Sequence, residues 1–455
     1  MPTMNNENLD DLMELDSAHV WHHMTQHAHK KQAPMFVKGE GSYLWDSNGK
    51  RFLDGTSGGV WCVNVGYGRE TIAEAVKQNL VTLNYCAGSS ATPVSSKFAG
   101  KLLSLMPGLS RVYFSNSGSE ANEKAYKMVR QISAKVYGAK KSKILYRDRD
   151  YHGTSITCLS SSGQEERKNQ YGPFTPGFVE FPHCCEYRSQ YGEVDNYTAL
   201  SLEALEKVIL AEDPETIGAI VVEPITAGGG VIVPPEGYFK GVETLCRKYN
   251  ILMHVDEVVC GLGRTGKWFG YQHFDVRPDI VTMAKGVASA YAAIACTVVT
   301  EDIFEKLNDQ PEERESYFRD ISTFGGCTSG PAAALENLAI IEKEGLIENA
   351  EKVGGYLQGK LALLMDKHEI IGDVRGKGLF LGLEIVKDRE TKEPMEETFL
   401  MKIVAHCAEN GVLIGRTNRS FKKYNNTLCL SPMLTLTTEQ ADVLVAAIDD
   451  ALASV

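Results

Sequence analysis

Residues 279–299 read DIVTMAKGVASAYAAIACTVV, a run of apolar and small side chains that carries a single cation, Lys285. An ammonium forced out of water loses its proton easily, and the neutral amine that results is a nucleophile. The ordinary alternative is a lysine at a strand end, with its stem buried and its amine in solvent. What decides between them is the chemistry at the other strand ends. RVYFSNS (111–117) runs into Gly118-Ser119-Glu120-Ala121-Asn122, the opening of a helix. Ser117, Gly118 and Ser119 would offer backbone N–H groups, two hydroxyls and the positive end of a helix dipole, which suit a phosphate. A plain serine N-cap has the same sequence. ILMHVDEVV ends in Asp256-Glu257, and an aspartate closing so apolar a strand needs a partner or a task. YRDRDYHGTS supplies Tyr151, which can stack on a planar ligand, and His152, a possible general base. IGAIVVEPI ends in Glu223-Pro224.

One motif is set aside. Gly261-Leu262-Gly263-Arg264-Thr265-Gly266 is a literal GxGxxG, but a dinucleotide site requires it to open a helix, with an acidic residue about 20 positions on. Here KWFGYQHFDVRPD follows, with no apolar helical period, so the glycines are expected to shape a loop.

The elements that must position these residues are legible between about 110 and 300. RVYFSNS, KILYRD, IGAIVVEPI, ILMHVDEVV, DIVTMAK and IACTVVTE alternate with amphipathic stretches such as GSEANEKAYKMVRQIS and SLEALEKVILAED. Continuous apolar strands separated by helices predict an α/β fold with a mainly parallel central sheet covered by helices. In such sheets ligands sit beyond the carboxyl ends of the strands, where the candidates above lie. After about residue 330, a long helix (PAAALENLAIIEKEGL) leads to GDVRGKGLFLGLEIV, a helix near 396–410, a strand pair and a closing helix. That helix opens with the capping-box pattern Thr437-Thr438-Glu439-Gln440. The expected division is an N-terminal arm with part of a small domain (1–70), a large α/β domain (71–328), and a C-terminal small α+β domain (329–455).

The chain's 455 residues, 43% of them hydrophobic, suffice for more than one core, and a net charge of −12 argues against nucleic acid or an anionic membrane as partner. The eleven cysteines show no C-x-x-C pair and no signal peptide is visible, so reduced thiols in the cytoplasm are expected. The histidines of HVWHHMTQHAH (19, 22, 23, 27 and 29) match no zinc spacing. No metal is expected, and the arm is read as folding over a pocket or a partner chain.

A phosphate cradle, a buried carboxylate, an aromatic face and a buried lysine together match the needs of pyridoxal 5′-phosphate. Its ring must be stacked, its ring nitrogen held protonated, and its aldehyde condensed with a lysine. The run HVDEVVCGLGRTG, followed by DIVTMAKG with the lysine 29 positions after the aspartate, resembles the class III (ω-amino acid) aminotransferase signature. GSYLWDSNGKRFLDGTSGGVWCVNVGYG, SNSGSEANE, YHG, VVEPI and STFGG also match in order, over nearly the whole chain. The resemblance implies a fold type I transferase and a homodimer with shared active sites, and leaves open whether dimers pair into tetramers.

By the same resemblance, Lys285 is the lysine that condenses with the aldehyde and Asp256 pairs with the ring nitrogen. Tyr151 stacks on one ring face and Val258 lies on the other. Gly118 and Ser119 hold the phosphate, with Thr323 of the neighbouring subunit. Glu223 stands close to the cofactor, Trp61 walls the substrate pocket, and Arg416 in VLIGRTN receives the carboxylate of a keto acid, with pyruvate the expected acceptor. CAGSSATP at 86–93 is small and hydroxylated where several amine-specific relatives carry aromatics. VWHHMTQHA and STFGGCTSGPAAA resemble the taurine–pyruvate branch, so taurine is the expected amine donor. A broad ω-amino acid or amine:pyruvate enzyme is the alternative, ahead of a decarboxylase, aminomutase or lyase on the same scaffold. A nicotinamide oxidoreductase would rest on the GLGRTG match alone.

Overall fold

The structure, a computed structural model, describes residues 9–29 and 34–455; the rest of the arm reading lies outside these residues. Phe36–Glu40 (β1), Tyr43–Asp46 (β2) and Arg51–Asp54 (β3) form an antiparallel meander near the N-terminus. Seven strands then build the main sheet: Arg111–Ser115 (β4), Lys143–Arg147 (β5), Phe178–Phe181 (β6), Ile217–Val222 (β7), Leu252–Asp256 (β8), Ile280–Met283 (β9) and Ala295–Val299 (β10). Their order is β4-β10-β9-β8-β7-β5-β6. Every residue of β7, β9 and β10 is buried, as continuous apolar runs covered on both faces should be.

Strands β9, β8, β7, β5 and β6 run parallel, while β10 is antiparallel to both β9 and β4. A parallel return needs a crossover element, and the link from β9 to β10 holds only the short turn Lys285–Val287. The carboxyl ends of β4, β5, β7, β8 and β9 therefore share one edge of the sheet. The edge strand β6 has no counterpart in the sequence reading: its four residues sit between Pro176-Gly177 and Pro182, too short to show a period.

Beyond residue 328, the expected long helix is Ser329–Lys343; it stops before Gly345, whose φ of 61° favours glycine, and a second helix that the sequence reading did not name, Leu346–Leu363, follows. Ile371–Lys377 (β11) and Phe380–Asp388 (β12) form a hairpin, and Glu393–Pro394 (β13) pairs with β12. After the helix Glu397–Glu409 come Val412–Leu413 (β14), Gly415–Arg416 (β15) and Thr427–Leu430 (β16). Strand β14 pairs in parallel with β3, joining the two ends of the chain in one sheet, and β15 and β16 extend the sheet of β11 and β12. The closing helix Thr438–Ser454 carries the full capping box: the Gln440 N–H donates to the Thr437 hydroxyl, and the Gln440 side chain accepts from the Thr437 N–H.

The glycine-rich segment after β8 is a loop, with Leu262, Gly263 and Gly266 all at positive φ. It aims Arg264, which is fully buried, at Ser57 Oγ (3.0 Å), Asn64 Oδ1 (2.8 Å) and the carbonyls of Leu379 and Pro432. The loop thus ties segments from both ends of the chain to the edge of the main sheet.

Candidate active site

Asp256, the last residue of β8, is 2% exposed. Its Oδ2 accepts hydrogen bonds from His152 Nδ1 (2.8 Å) and Asn122 Nδ2 (2.8 Å), and its Oδ1 accepts from the Val258 N–H (2.9 Å). Burial on its own would raise this carboxyl, but the His152 contact, the Val258 N–H and Asn122 outweigh it and hold Asp256 below its ordinary value. An ionised aspartate only accepts, so the proton of His152 lies on Nδ1; its buried Nε2 has no partner among the described residues.

A further row of side chains fixes Asn122. Thr282 Oγ1 donates to Asn122 Oδ1 (2.7 Å) and is itself 3.0 Å from His254 Nε2, which must then be the donor. With its carbonyl oxygen engaged, Asn122 turns both amide protons outward, one to Asp256 and one to the His152 carbonyl (2.7 Å). Burial pushes His254 down to about 3, so it stays neutral in this role. Asn122, Thr282 and His254 were missed by sequence reasoning. The available signal was the polar side chain within each apolar strand: His254 is two residues from Asp256 on the same strand face, and Thr282 is in register beside Asp256.

Ser117 is the N-cap of the helix Gly118–Tyr137, accepting from the Glu120 N–H (3.2 Å), so the bland reading of that serine holds structurally. The first N–H groups of the helix have no intrahelical partner and remain available to an anion. Close packing explains the glycines here. A Cβ on Gly118 would lie 3.0 Å from Val258 and 3.7 Å from Ala284, the residue before Lys285. A Cβ on Gly153 would lie 2.6 Å from Ser119 Oγ, which accepts from the Thr154 N–H (3.0 Å). The Ser117–Ser119 turn, Val258, the Tyr-His-Gly turn and the lysine segment are thereby brought together. Lys285 has a φ of 44° and makes no side-chain hydrogen bond or ion pair among the described residues; its charge is felt by Cys62, next to Trp61.

Two further buried carboxyls flank this floor. Glu223 accepts from the backbone N–H groups of Tyr151 (2.8 Å) and Ala227 (3.0 Å), so it holds Tyr151 in place through the main chain. Burial, with the neighbouring charges of Asp150 and Asp256, raises it well above the usual range. Glu257 accepts from Gly270 (2.9 Å) and Tyr271 (2.7 Å), and burial pushes it up to about 8. Adjacent in sequence, Asp256 and Glu257 shift in opposite directions, because only Asp256 has a histidine against it.

Around the opening, Trp61 packs edge-on against Phe380, ring centres 5.8 Å apart. Arg416, on β15, is paired with Glu397 at 2.5 Å. Thr323 is exposed, next to Ser322, whose hydroxyl accepts from Asn116 Nδ2 (3.4 Å), and close in sequence to Ile321 and Phe324, which are 86% and 68% exposed. Also missed in the sequence was Arg167, whose guanidinium stands 4.1 Å from the centre of the Tyr151 ring. Among the described residues no group of three or more His, Cys, Asp or Glu side chains is placed to hold a metal ion, and His22 of the arm pairs instead with Asp16 (2.9 Å).

These residues fit pyridoxal phosphate. Asp256 retains lone pairs for a protonated ring nitrogen, Tyr151 and Val258 offer flat and apolar contacts, the Gly118 turn offers N–H groups, and Lys285 has a free amine. The comparisons agree. Residues 24–452 match the family model for class-III aminotransferases. The chain is 59% identical over 454 residues to a hypotaurine/taurine–pyruvate aminotransferase of Paracoccus denitrificans, covering 99% of both chains. It is 57% identical to a taurine–pyruvate aminotransferase of Rhodobacter capsulatus, covering 97% of this chain and 96% of that one. A solved Bacillus anthracis aminotransferase superposes with a TM-score of 0.95 at 39% identity, covering 99% of this chain and all of the other. The chain belongs to the class-III aminotransferases, a family that works through pyridoxal phosphate.

Proposed function

We propose that the protein transfers the amino group of taurine to pyruvate, giving alanine and an aldehyde in a ping-pong cycle. The observation that carries this reading is the identity of 57–59%, over nearly full length, to enzymes named for that reaction. When bound, pyridoxal phosphate supplies an aldehyde to take up nitrogen and a ring to withdraw electrons. Lys285 would hold the aldehyde, and its amine would carry the proton from the amine-bearing carbon of the donor across to the former aldehyde carbon. Asp256 keeps the ring nitrogen protonated, and His152 and Asn122 keep Asp256 ionised and aimed. Tyr151 and Val258 sandwich the ring, Gly118 and Ser119 bind the phosphate beside the Ser117 cap, and Glu223 positions Tyr151. Trp61 walls the substrate pocket and Arg416 receives the carboxylate of the keto acid after leaving Glu397.

The active form in this reading is a homodimer. The exposed Ile321 and Phe324 beside Thr323 support it, since a second copy would cover them and bring Thr323 to its neighbour's phosphate. The chain divides into residues 1–70, 71–328 and 329–455, with the β3–β14 pairing supporting a small domain built from both ends. All eleven cysteines are free thiols, which supports a cytoplasmic location. The test is alanine formation from pyruvate with taurine, β-alanine, 4-aminobutyrate, putrescine or 1-phenylethylamine as single donors. Taurine is expected to lead in kcat/KM; an inert taurine beside an active amine would overturn the donor assignment and leave the family chemistry in place.

A further inference from the structure

Arg416 has an acidic partner; another guanidinium at the site has none among the described residues. Arg167 lies on the short turn Glu165–Lys168, its Cζ 4.1 Å from the centre of the Tyr151 ring. Its Nε donates to Gln164 Oε1 (2.7 Å), and Gln164, fully buried, is anchored in turn to the Arg149 carbonyl (3.0 Å). The head group is thus held in place, yet among the described residues its two terminal nitrogens make no hydrogen bond and meet no carboxylate. A second cation comes from the C-terminal segment. The Glu166 N–H donates to the Ser420 carbonyl (3.1 Å) and Asn425 Nδ2 donates to Glu166 (3.2 Å), which brings Arg419 beside Arg167. Among the described residues Arg419 donates only to backbone carbonyls, of Asn418 (2.5 Å) and Met24 (3.0 Å), and pairs with no carboxylate. Burial, and less strongly the charge of Arg419, press Arg167 below its ordinary value against the opposing pull of Tyr151 and Glu223. Two guanidiniums that form no ion pair among the described residues, beside the Tyr151 ring, form a place for an anion.

The chemistry of the two substrates calls for such a place. In pyruvate the carboxylate is bonded directly to the carbon that accepts nitrogen. In taurine, or β-alanine, one methylene separates the amine-bearing carbon from the sulfonate or carboxylate. If Lys285 and the cofactor hold the reacting carbon at one point, the two anions fall at different points. We propose that Arg167, backed by Arg419, binds the terminal anion of the amine donor, leaving Arg416 to the keto acid. This rests on the reading of the donor as an ω-amino acid or sulfonate.

The test uses the cofactor-loaded protein with Arg167→Ala, Arg167→Lys and Arg416→Ala. Arg167→Ala is expected to lower the ratio of kcat/KM for taurine to that for 1-phenylethylamine by about 10- to 100-fold, chiefly through KM, as for the loss of a charge-assisted contact. Arg167→Lys should recover only part of the ratio, since an ammonium cannot grip two oxygens in a fork. Calorimetric binding of ethanesulfonate, which cannot react, should be lost in Arg167→Ala and kept in Arg416→Ala. β-Alanine separates a site for any terminal anion, where it falls in parallel with taurine, from one tuned to sulfonate, where it falls less. An unchanged ratio in a folded Arg167→Ala that keeps its visible cofactor band, or ethanesulfonate binding that depends on Arg416 instead, overturns the proposal. Should Arg167→Ala fail to fold, Arg167→Gln carries the same test. A wild-type protein that ignores both taurine and β-alanine sinks the donor assignment, while ethanesulfonate binding still decides the subsite.

Discussion

The floor around Asp256 and the rim of arginines above it solve different problems. The floor comes from one sheet and the helix beside it, and each of its donors is committed: His254 to Thr282, Thr282 to Asn122, Asn122 and His152 to Asp256. The rim is assembled from three distant segments, near residues 24, 167 and 416–425, and its arginines hold backbone carbonyls, one glutamate and one glutamine. A group that stays put can be served by fixed dipoles. Two anions that come and go need cations whose partners can be exchanged. The buried charge of Asp256 is satisfied by the protein itself, whereas the rim keeps unused donors among the described residues, as the proposed substrate sites require.

Breaking the floor should have the largest effect. Asp256→Asn keeps the size but removes the charge, and the single-turnover reaction with taurine is expected to slow on the order of 10³-fold, with the cofactor still bound. A near-normal rate would mean that the ring partner lies elsewhere. Borohydride reduction should fix the cofactor to Lys285, and peptide mapping that finds it on another lysine would remove Lys285 from its role.

At the rim the effects should be smaller and substrate-dependent. Arg416→Ala is expected to reduce kcat/KM for pyruvate by about 10- to 100-fold, while Glu397→Gln, which frees Arg416, should lower KM for pyruvate. Steady-state kinetics on both variants check the pairing; a pyruvate KM that moves in neither excludes Arg416 from the acceptor site.

The supporting row behind Asp256 acts on stability. Thr282→Val keeps the shape but strands the His254 N–H and the Asn122 carbonyl, a loss of about 1–3 kcal/mol in stability, read from the urea midpoint. Smallest is the pH effect of His254. Its folded value of about 3 lies below that of a free histidine, so between about 3 and 6.5 the unfolded chain takes up a proton that the folded chain refuses. This contribution to stability is fully present above about pH 6.5 and fades as pH falls towards 3. His254→Gln should flatten the fall of the urea midpoint between pH 7 and pH 5, and an unchanged slope would show that other groups set it.

The candidates legible in the sequence are those at strand ends. Lys285, Asp256, Tyr151, Glu223 and the Ser117–Ser119 turn each interrupt an apolar run, and a polar group there needs a reason. Asn122, Thr282 and His254 were not legible, because one polar residue inside a helix or strand looks the same whether it packs or relays. Arg167 was hidden for the opposite reason: Glu-Glu-Arg-Lys reads as a solvated charged turn, and only the fold lays it on Tyr151. Strand β6 and the stop before Gly345 were lost to short length and to one residue of backbone geometry.

By itself the sequence determined what local pattern can carry: the α/β alternation, the mainly parallel sheet, the capping box at Thr437, and a set of chemically suited residues in a family order. Pattern is a property of neighbours along the chain, and hydrophobic period reports which face is buried. Only the tertiary structure decided that β10 runs against its neighbours, that Asp256 and Glu257 shift in opposite directions, and that Arg416 pairs with a glutamate while Arg167 meets no carboxylate among the described residues. Those outcomes depend on partners far apart in sequence, because hydrogen bonds and charge act across a few ångströms of space whatever the number of residues between them.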